Sequence, residues 1–437
     1  MRRPYSPSEL KGMIGKEVHL EGWVHDVRAL GGISFVLLRS SAGIVQIAAP
    51  KKAVGKDVYE SISSLHQEDV ISCVGVVKES RAARAGIEIV PSRIAVTSRA
   101  ATPLPLDPRG VTPAALETRL LWRTLELRRP ESAAIFRVED AVVQGFEEFL
   151  RSEGFIRAFT PSIIGGVSEG GSEVFKIDFY GRQAFLRQDP QLHRQLTIAG
   201  GFDRIYDLGA NWRAELSHTP RHLSEHRTLA PEMAFIEDEK DIMRVEEKMV
   251  VHGVKRVLED CDADLAMLKV ELKAPATPFP EVDFPDAYDI LEGLGVVPRR
   301  DEDIDEPSQR ELGKHVKETT GSDFFFLNRF PSATKPFYVM RVDDDPAYAR
   351  SFDLVYKGLE LSSGGQREHR YERIASQVKE RGMDAGSLKW FTEPFRYGVP
   401  PHGGYSFGIE RFTSYILGME NVKEAVLFPR DPERLQP

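Results

Sequence analysis

A proline-rich segment limits how this chain can fold. Residues 101–113 read ATPLPLDPRGVTP and hold four prolines, at 103, 105, 108 and 113. Proline has a fixed φ and no backbone N–H, so such a segment continues neither a helix nor the middle of a sheet. At 437 residues the chain is long enough for more than one domain. The sequence therefore predicts an N-terminal domain over 1–102, a linker or hinge over 103–135 and a larger domain over 136–437.

Short alternating strands fill the N-terminal part. The alternation of apolar and polar side chains predicts strands over 17–27, 32–40, 43–49, 69–80 and 86–98. Residues 51–66 supply a helix after the third strand, and this order suits an OB-fold barrel. Such barrels bind single-stranded nucleic acid on one sheet face, through stacking and base-edge hydrogen bonds. Phe35 and Gln46 lie in strands from which they could face that groove, although the spacing fits Phe35 equally well as barrel core.

Charge is distributed unevenly along the chain. The whole chain has a net charge of −9, whereas residues 1–100 hold 14 Lys and Arg against 10 Asp and Glu. A mildly basic first domain on an acidic body is compatible with an RNA that touches the first domain. Chance variation in composition is the alternative interpretation.

Composition argues against several classes of protein. No run of about 18 apolar residues occurs, so no membrane span is expected. The N-terminal MRRPYSPSELKGMIG lacks an apolar core, so a secretory signal is not expected either. Cys73 and Cys261 are far apart and have no CxxC spacing. They are expected to be core residues of a cytoplasmic protein, with no structural zinc.

The larger part mixes helical and strand patterns. Helical spacing marks residues 114–151, 190–200 and 241–261, and short strands are predicted at 184–188, 204–210 and 231–237. Residues 270–335 fit neither pattern well. Adjacent strands with few crossover helices predict a mixed, mainly antiparallel sheet, and hence an α+β fold. Neither a P-loop nor a G-x-G-x-x-G turn occurs, which argues against those two kinds of nucleotide site.

Three short motifs in this part carry the chemistry. Arg213 and Glu215 form an R-x-E, the segment GGYSFGIERF contains Arg411, and FTPSIIGG places Pro161 after an apolar strand. Activating a carboxylate with ATP brings two anions together, and permanently charged, planar guanidinium groups offset that charge. Glycines such as Gly404 allow backbone to approach a nucleotide closely. In chain order the three segments resemble motifs 1, 2 and 3 of the class II aminoacyl-tRNA synthetases.

Over its whole length the chain is similar to the compact, archaeal type of aspartyl-tRNA synthetase. The resemblance implies an OB-fold anticodon-binding domain, a class II catalytic domain and a homodimer built around Pro161. It also implies ATP, Mg²⁺, aspartate and tRNA as ligands. Catalysis would depend on Arg213, Glu215 and Arg411.

The same resemblance assigns the contacts residue by residue. Those implied for ATP are Arg213, Ala214, Glu215, Arg221, His222, Leu223, Glu360, Gly408, Ile409, Glu410 and Arg411. Those implied for the amino acid are Glu169, Asp189, Gln191, Arg194, Arg213, Glu232, Ser363 and Arg367. Glu360 and Ser363 would hold Mg²⁺. The implied anticodon residues are His25, Arg28, Phe35, Gln46 and Arg84, with Phe35 stacked on the central base.

The amino-acid pocket departs from the family pattern. Where the family has Ser, Tyr and Lys, this chain has Asp189, His193 and Arg194, and Ala230 stands in place of an acidic contact to the substrate ammonium. One interpretation is that charge is conserved, because Asp189 supplies the anion lost at position 230. The other is that the pocket takes a different substrate, because arginine makes a planar bidentate pair where lysine makes a point contact.

The predicted function is ATP-dependent aspartate–tRNA ligation. Family members that accept only the aspartate tRNA tend to have Trp at the position of His25, so this chain is expected to charge the asparagine tRNA as well. Arg84 matches neither family pattern. One alternative is a paralogue that activates aspartate or another amino acid for amide formation, a natural product or asparagine synthesis. A regulatory RNA-binding protein is the non-enzymatic alternative.

Overall fold

The computed structural model describes residues 4–166, 173–216 and 219–437. They form two compact units, residues 1–130 and 131–437. The proline-rich segment belongs to the first unit, where Gln67 Nε2 donates to Asp107 Oδ1 at 3.1 Å. Arg109 Nη1 lies 3.4 Å from Asp26 Oδ1 in the same unit. The linker predicted over 103–135 includes the division between the two units, which falls after residue 130. The domain bounds at 102 and 136 stay a prediction.

The first unit contains a closed five-stranded barrel. Its elements are α1 (Pro7–Lys11), β1 (Glu17–Leu30), β2 (Ile33–Ser40), β3 (Gly43–Pro50), α2 (Lys56–Ser63), β4 (Val70–Glu79), β5 (Ile87–Ser98), α3 (Leu116–Leu121) and α4 (Arg123–Glu126). The strand order around the barrel is β1-β2-β3-β5-β4, and β3 and β5 pair in parallel. The predicted five strands, with a helix after the third, are confirmed.

The barrel interior explains the alternation in the sequence. Val36 and Leu38 of β2 are buried with Val24 and Ile47 in one apolar cluster. Phe35 lies between the inward positions and is half-buried, so it belongs to the outer face of β2 rather than to the core. The alternation of side chains along β2 therefore places Phe35 on the outer face and not in the barrel core, a choice that the sequence alone left open.

The second unit is built on a large mixed sheet. It follows α5 (Pro130–Ser152), and its strands are β6 (Ile156–Ala158), β7 (Ile163–Ile164), β8 (Lys176–Phe179), β9 (Arg182–Leu186), β10 (Arg204–Trp212), β11 (Glu225–Ala234), β12 (Glu281–Asp283), β13 (Phe324–Asn328), β14 (Ser351–Tyr356), β15 (Leu359–Arg367) and β16 (His402–Gly408). Eight of them form one sheet in the order β12-β13-β14-β15-β16-β11-β10-β6. Only the two outermost pairs, β12–β13 and β10–β6, are parallel. The predicted mainly antiparallel sheet and α+β class are confirmed.

Helices cover this sheet and close the core. They are α6 (Gln191–Ala199), α7 (Glu239–Asp260), α8 (Asp262–Leu268), α9 (Phe284–Gly293), α10 (Glu306–Thr320), α11 (Tyr371–Glu380), α12 (Lys389–Thr392) and α13 (Ile409–Ile416). Phe146 of α5 packs edge-on against Phe407 at 5.1 Å between ring centroids. At Gly253 of α7, an added Cβ would stand 2.3 Å from the Phe146 ring, so the helices approach closely because that residue is glycine. Cys73 and Cys261 are both buried and unbridged, in agreement with the core role expected for them.

Candidate active site and nucleic-acid interface

A cavity of about 680 Å³ opens in the second unit. Sequence-predicted residues that line it are Asp189, Gln191, Arg213, Glu215, Arg221, His222, Leu223, Glu360, Ser363, Arg367, Gly408, Glu410 and Arg411. Of the other predicted residues, Ala214 and Ile409 adjoin lining residues, and Arg194 and Glu232 are buried. Glu169 lies outside the described residues. The strands therefore bring residues separated by more than 200 positions to one cavity.

Two arginines approach the cavity from different elements. Arg213 follows the last residue of β10, and its Nη1 lies 3.5 Å from Glu215 Oε1. Arg411 comes from the first turn of α13, and its Nη1 lies 3.2 Å from Glu360 Oε1. Neither guanidinium is deeply buried, at 46% and 32% exposure, so both can reach an anionic ligand. Guanidinium groups in such positions suit phosphate oxygens.

His226 lies between these arginines and was not predicted as a site residue. Burial, together with the positive charges of Arg213 and Arg411, lowers its pKa to about 3. The ring is therefore neutral near pH 7 and adds no charge to the site. Glu410 is also fixed in place, because its carboxylate accepts from the backbone N–H of Arg227 at 2.9 and 3.0 Å.

The hairpin of β14 and β15 supplies an oxygen-rich wall. Glu360 and Ser363 line the cavity, and Ser363 pairs across the hairpin with Asp353, a buried residue that the sequence reasoning missed. Burial is the main cause that raises the pKa of Asp353, to about 7, and the negative charge of Glu360 adds to it. Lys335 Nζ, 3.7 Å from Asp353 Oδ1, acts in the opposite direction.

These oxygens fit a magnesium ion only in part by themselves. Within the part of the chain that the structure describes, no three His, Cys, Asp or Glu side chains are grouped to hold a metal. Magnesium commonly takes one or two carboxylates and completes its shell with water and substrate phosphates. The carboxylates of Glu360 and Asp353 with the Ser363 hydroxyl match that donor set, and a divalent cation would relieve the repulsion between the two acids.

The part of the cavity wall that contains Asp189, Gln191 and Arg367 belongs to a buried network of ion pairs and hydrogen bonds. Arg367 Nε donates to Glu232 Oε1 at 3.0 Å, and its Nη2 donates to Gln191 Oε1 at 2.8 Å. Arg194 Nη2 donates to Asp189 Oδ1 at 3.2 Å and to Gln191 Oε1 at 2.5 Å. Of the five, Asp189, Gln191 and Arg367 line the cavity, whereas Arg194 and Glu232 are fully buried behind them. The sequence had assigned a direct substrate contact to each, and the structure puts two of them behind the wall.

Arg194 also bridges a break in the large sheet. Pro231 lies in β11, where it has no N–H for a ladder bond to β16. Arg194 Nη1 donates to the carbonyl oxygens of both Pro231 and Tyr405, each at 2.8 Å. The guanidinium thereby joins β11 and β16 where their own hydrogen bonding is interrupted.

Asp189 carries its negative charge into the cavity. Burial acts to raise the pKa of Asp189, but Arg194, with smaller contributions from Arg367 and Arg213, lowers it below the usual value. Ala230 has no exposed surface and lies on the same strand face as Thr228, which lines the cavity. An acidic side chain is thus present at 189, where it lines the cavity, and absent at 230.

The predicted nucleic-acid residues share the outer face of the barrel. Arg28 and Phe35 are direct partners in the β1–β2 ladder, and Gln46 of β3 is opposite Leu37 of β2. Opposed residues point to the same side of a sheet, so these side chains form one surface over β1, β2 and β3. His25 lies on β1 next to it, and Arg84 is exposed between β4 and β5.

The chain matches two family models. Residues 115–432 match the model described as tRNA synthetases class II (D, K and N), and residues 18–97 match the OB-fold nucleic acid binding domain.

Similar proteins cover the chain from end to end. An aspartate–tRNA(Asp) ligase of Thermococcus kodakarensis is 44% identical over 436 residues and covers 100% of both chains. An aspartate–tRNA(Asp/Asn) ligase of Methanopyrus kandleri is 44% identical over 423 residues, 97% of this chain and 96% of its own. Among solved structures, an asparaginyl-tRNA synthetase from Pyrococcus horikoshii, complexed with asparaginyl-adenylate, is similar with a TM-score of 0.93 and 31% identity over 100% of both chains.

Proposed function

This chain belongs to the class II aminoacyl-tRNA synthetases of the D, K and N group, and we propose that it is an aspartate–tRNA ligase that charges both the aspartate and the asparagine tRNA. The substrate carboxylate attacks the α-phosphorus of ATP and releases pyrophosphate. A ribose hydroxyl at the tRNA end then attacks the carbonyl carbon of the adenylate and releases AMP. Names of relatives support aspartate as substrate, and they include both aspartate-only and relaxed tRNA choice.

The single observation that carries this proposal is the distribution of charge in the cavity. Arg213 and Arg411 face its phosphate-binding end, and Asp189 lies beside Arg367 at the other. ATP brings several negative charges, whereas aspartate brings one ammonium and two carboxylates. Cations at one end and a mixed pair at the other suit that combination of substrates.

Adenylate formation in this site depends on positioning and charge. Negative charge builds on the α-phosphorus as the carboxylate approaches, and the guanidinium groups of Arg213 and Arg411 stabilise it. Glu215 and Glu360, which line the same cavity, pair with these guanidinium groups at 3.5 and 3.2 Å. His226, neutral because of burial and the adjacent arginines, does not act as an acid at neutral pH.

Glu360 and Ser363 would hold Mg²⁺, with Asp353 as a third oxygen donor. Bound there, the ion would neutralise charge on the ATP phosphates. Lys335 is close enough to Asp353 to offset its charge when no metal is bound. Asp353 is an addition to the two ligands that the sequence suggested.

The amino-acid end would read both charged groups of aspartate. Asp189 would accept from the substrate ammonium, and Arg367 would donate to the side-chain carboxylate. Arg367 Nε and Nη2 already bind protein groups, and among the described residues no hydrogen bond involves its Nη1. Arg194 would act indirectly, since its guanidinium holds Asp189 and Gln191 in place.

The barrel would bind the anticodon. Phe35 offers a half-buried aromatic ring for stacking, Arg28 is exposed beside it, and Gln46 is directed to the same face. His25 would lie near the third anticodon base, at which the two tRNAs differ between cytosine and uracil. An imidazole there is smaller than an indole and tolerates either base.

The protein would act as a cytoplasmic homodimer. Ile156, Phe159 and Ile163 flank Pro161 and expose 56%, 83% and 47% of their surfaces. Three large apolar side chains in so short a segment suit an interface with a second copy. Among the described residues, no helix combines the length and apolarity of a membrane span.

ATP–pyrophosphate exchange with a panel of amino acids tests the activity most directly. We expect exchange with aspartate, followed by charging of transcripts of both tRNAs. Exchange with another amino acid and not with aspartate would favour the second candidate, a paralogue with an altered pocket. The observation behind that candidate is the joint presence of Asp189, Arg194 and Ala230. Binding of tRNA with no exchange for any amino acid would indicate an RNA-binding protein.

A further inference from the structure

A buried ion network lies beneath His25 in the barrel. Arg39 Nη1 and Nη2 donate to Glu68 Oε1 and Oε2 at 2.9 and 2.7 Å, and both residues are at most 5% exposed. Arg128 Nη1 donates to the same carboxylate at 2.8 Å. The two guanidinium carbons lie 5.9 and 5.5 Å from the centroid of the Trp23 ring. Arg39 is therefore held on several sides and cannot turn away from its position.

Glu68 is fixed by its own backbone. Its φ of +68° lies in the left-handed region, which residues other than glycine rarely adopt. Its N–H donates to the carbonyl of Val24 at 2.7 Å, and Val24 N–H donates to the carbonyl of Asp69 at 2.8 Å. These bonds attach Glu68 to β1 at the residue immediately before His25.

His25 is the extra residue of a β-bulge. In the β1–β2 ladder Val24 pairs with Leu38 and Asp26 with Leu37, so His25 has no partner of its own. Bulges of this kind redirect a side chain and are frequent at functional sites. The ring of His25 is directed to Arg39, whose Nη1 lies 3.1 Å from its Nδ1.

The contact with Arg39 decides which ring nitrogen carries the proton. A guanidinium has only donors, so Nδ1 must accept and the proton of the neutral ring must be on Nε2. Burial and then Arg39 lower the pKa of His25, while Glu68 and Asp26 act to raise it and Arg109 to lower it. With these charges around it, the imidazole stays neutral at physiological pH.

We propose that Arg39 is a positioning residue for tRNA choice, because it fixes His25 as an Nε2–H donor. Cytosine and uracil share the O2 acceptor and differ at position 4, which is an amino donor in one and a carbonyl acceptor in the other. A ring that only donates can bond the shared O2 acceptor, and a hydrogen bond to O2 does not distinguish the two bases. This inference rests on the proposed function, in which His25 contacts the third anticodon base.

The test compares Arg39→Met with Arg99→Met in the full chain. Arg99 also forms an ion pair in the first unit, in which its Nη1 lies 2.8 Å from the buried carboxylate of Asp69. It has no hydrogen bond to His25. The quantities measured are the KM values for the aspartate and asparagine tRNA transcripts between pH 6 and 8. We expect Arg39→Met to raise both KM values about tenfold, as for one lost hydrogen bond, and Arg99→Met to change them less than about twofold.

The dependence of KM on pH distinguishes a change in the His25 tautomer from a general loss of structure. With Nδ1 released, the lowering caused by Arg39 is removed while that caused by burial remains, so the pKa of His25 should rise toward its ordinary value. KM should then become lower in acid as the ring gains a positive charge. Replacing His25 by Gln in the same variant should remove this titration. In the parent, the KM of His25→Gln divided by that of the unchanged chain should be constant from pH 7 to 8, because a pKa below its ordinary value leaves the ring neutral there. This comparison does not require an Arg39 variant to fold.

A double-mutant cycle decides the outcome. If Arg39 acts through His25, then Arg39→Met with His25→Gln should raise KM no more than about twofold beyond His25→Gln alone. Additive effects of the two changes, or a pKa of His25 in the parent above its ordinary value of about 6.5, would overturn the inference. Failure to charge either transcript would instead overturn the proposed function, so the two failures are distinguishable.

Discussion

At the scale of single residues, the site separates side chains that line the cavity from side chains that are enclosed by protein. Arg213, Arg367 and Arg411 line the cavity, whereas Arg194 is enclosed by protein. The four side chains have the same chemistry, and only their surroundings assign them different tasks.

Removing either phosphate-facing arginine should nearly abolish adenylate formation. Arg213→Ala and Arg411→Ala each take away a charge that stabilises the transition state, which costs about 3 kcal/mol, or roughly a hundredfold in rate or more. ATP–pyrophosphate exchange measures the loss, and circular dichroism checks the fold. Arg244→Ala, at an exposed arginine of α7 paired with Asp241, is the matched control and should keep full activity. Near-normal exchange in either cavity variant contradicts the assignment.

Asp189 should compensate for the acid missing at position 230. Asp189→Ser removes the anion that faces the substrate ammonium, so aspartate activation should be lost. The double variant Asp189→Ser with Ala230→Asp returns an acid to position 230, where the family has one, and should recover activity. The measurement is kcat/KM for aspartate in pyrophosphate exchange. If the double variant activates aspartate and the parent does not, the pocket of this chain serves another substrate.

At the scale of elements, the β14–β15 hairpin should couple the proposed binding of Mg²⁺ to pH. Asp353 is opposite Ser363 in the ladder, and burial with the nearby Glu360 raises its pKa to about 7. Mg²⁺ requires the ionised carboxylate, so protons compete with the metal below that value.

The affinity for Mg²⁺ should therefore fall in acid and level off in base. Below about pH 7 the apparent dissociation constant should rise up to about tenfold per pH unit, and above about pH 8 it should be flat. Calorimetric titration of Mg²⁺ with the ATP complex, in two buffers of different ionisation enthalpy, measures affinity and proton release together. Asp353→Asn should weaken binding and remove the proton release, whereas Asp286→Asn, at an exposed residue of α9, should do neither. Unchanged proton release in Asp353→Asn would refute the assignment.

Helices and strands whose buried side chains recur at a regular spacing could be predicted from the local sequence. The barrel strand β1 begins by alternating the inward Val18 and Leu20 with outward polar residues. Helix α7 repeats buried side chains at helical spacing, so both were predicted from sequence. Residues 270–335 include two helices and two short strands, and the sequence did not resolve them. Signals were present there, since Asp305 caps the start of α10 and Gly321 its end.

Site residues could be predicted from the sequence where the residue type by itself indicates the chemistry. Arg213 and Arg411 belong to short motifs, Glu360 was assigned by the family resemblance, and the structure brings all three to one cavity. Asp353 was missed because its relation to Ser363 exists only in the hairpin, although the turn Lys357-Gly358 was a signal for that pairing. The burial of Arg194 likewise depends on β16, which is more than 200 residues away.

At the scale of the whole molecule, the apolar segment around Pro161 predicts a dimer. Sedimentation equilibrium should give twice the chain mass of 49.1 kDa. Phe159→Asp puts a charge on the most exposed of the three apolar side chains and should shift the equilibrium to monomer. Tyr397→Asp, at a tyrosine 80% exposed elsewhere, should remain dimeric. A stable and active monomer of the unchanged protein would count against the interface.

Choice between two tRNAs is also a property of the whole molecule. The parent should charge the aspartate and asparagine transcripts with kcat/KM values within about a hundredfold, equivalent to about 2.7 kcal/mol. His25→Trp should shift the ratio toward the aspartate tRNA, because an indole excludes one of the two bases. Arg93→Trp, at an exposed position of β5, adds the same bulk to the barrel and should leave the ratio unchanged. A larger difference in the parent means that it already discriminates.

The guanidinium of Arg194 also indicates how this pocket could be redesigned. It binds Asp189 and Gln191 on one side and the carbonyls of Pro231 and Tyr405 on the other. A library that randomises position 194 would therefore disturb substrate recognition and sheet pairing in the same clone, and most members would be lost to misfolding. A library that keeps Arg194 and varies positions 189 and 191 would change the chemistry offered to the amino acid while the scaffold stays intact. Directed evolution of new substrate specificity in this chain should begin from the residues that the arginine holds, and leave the arginine itself in place.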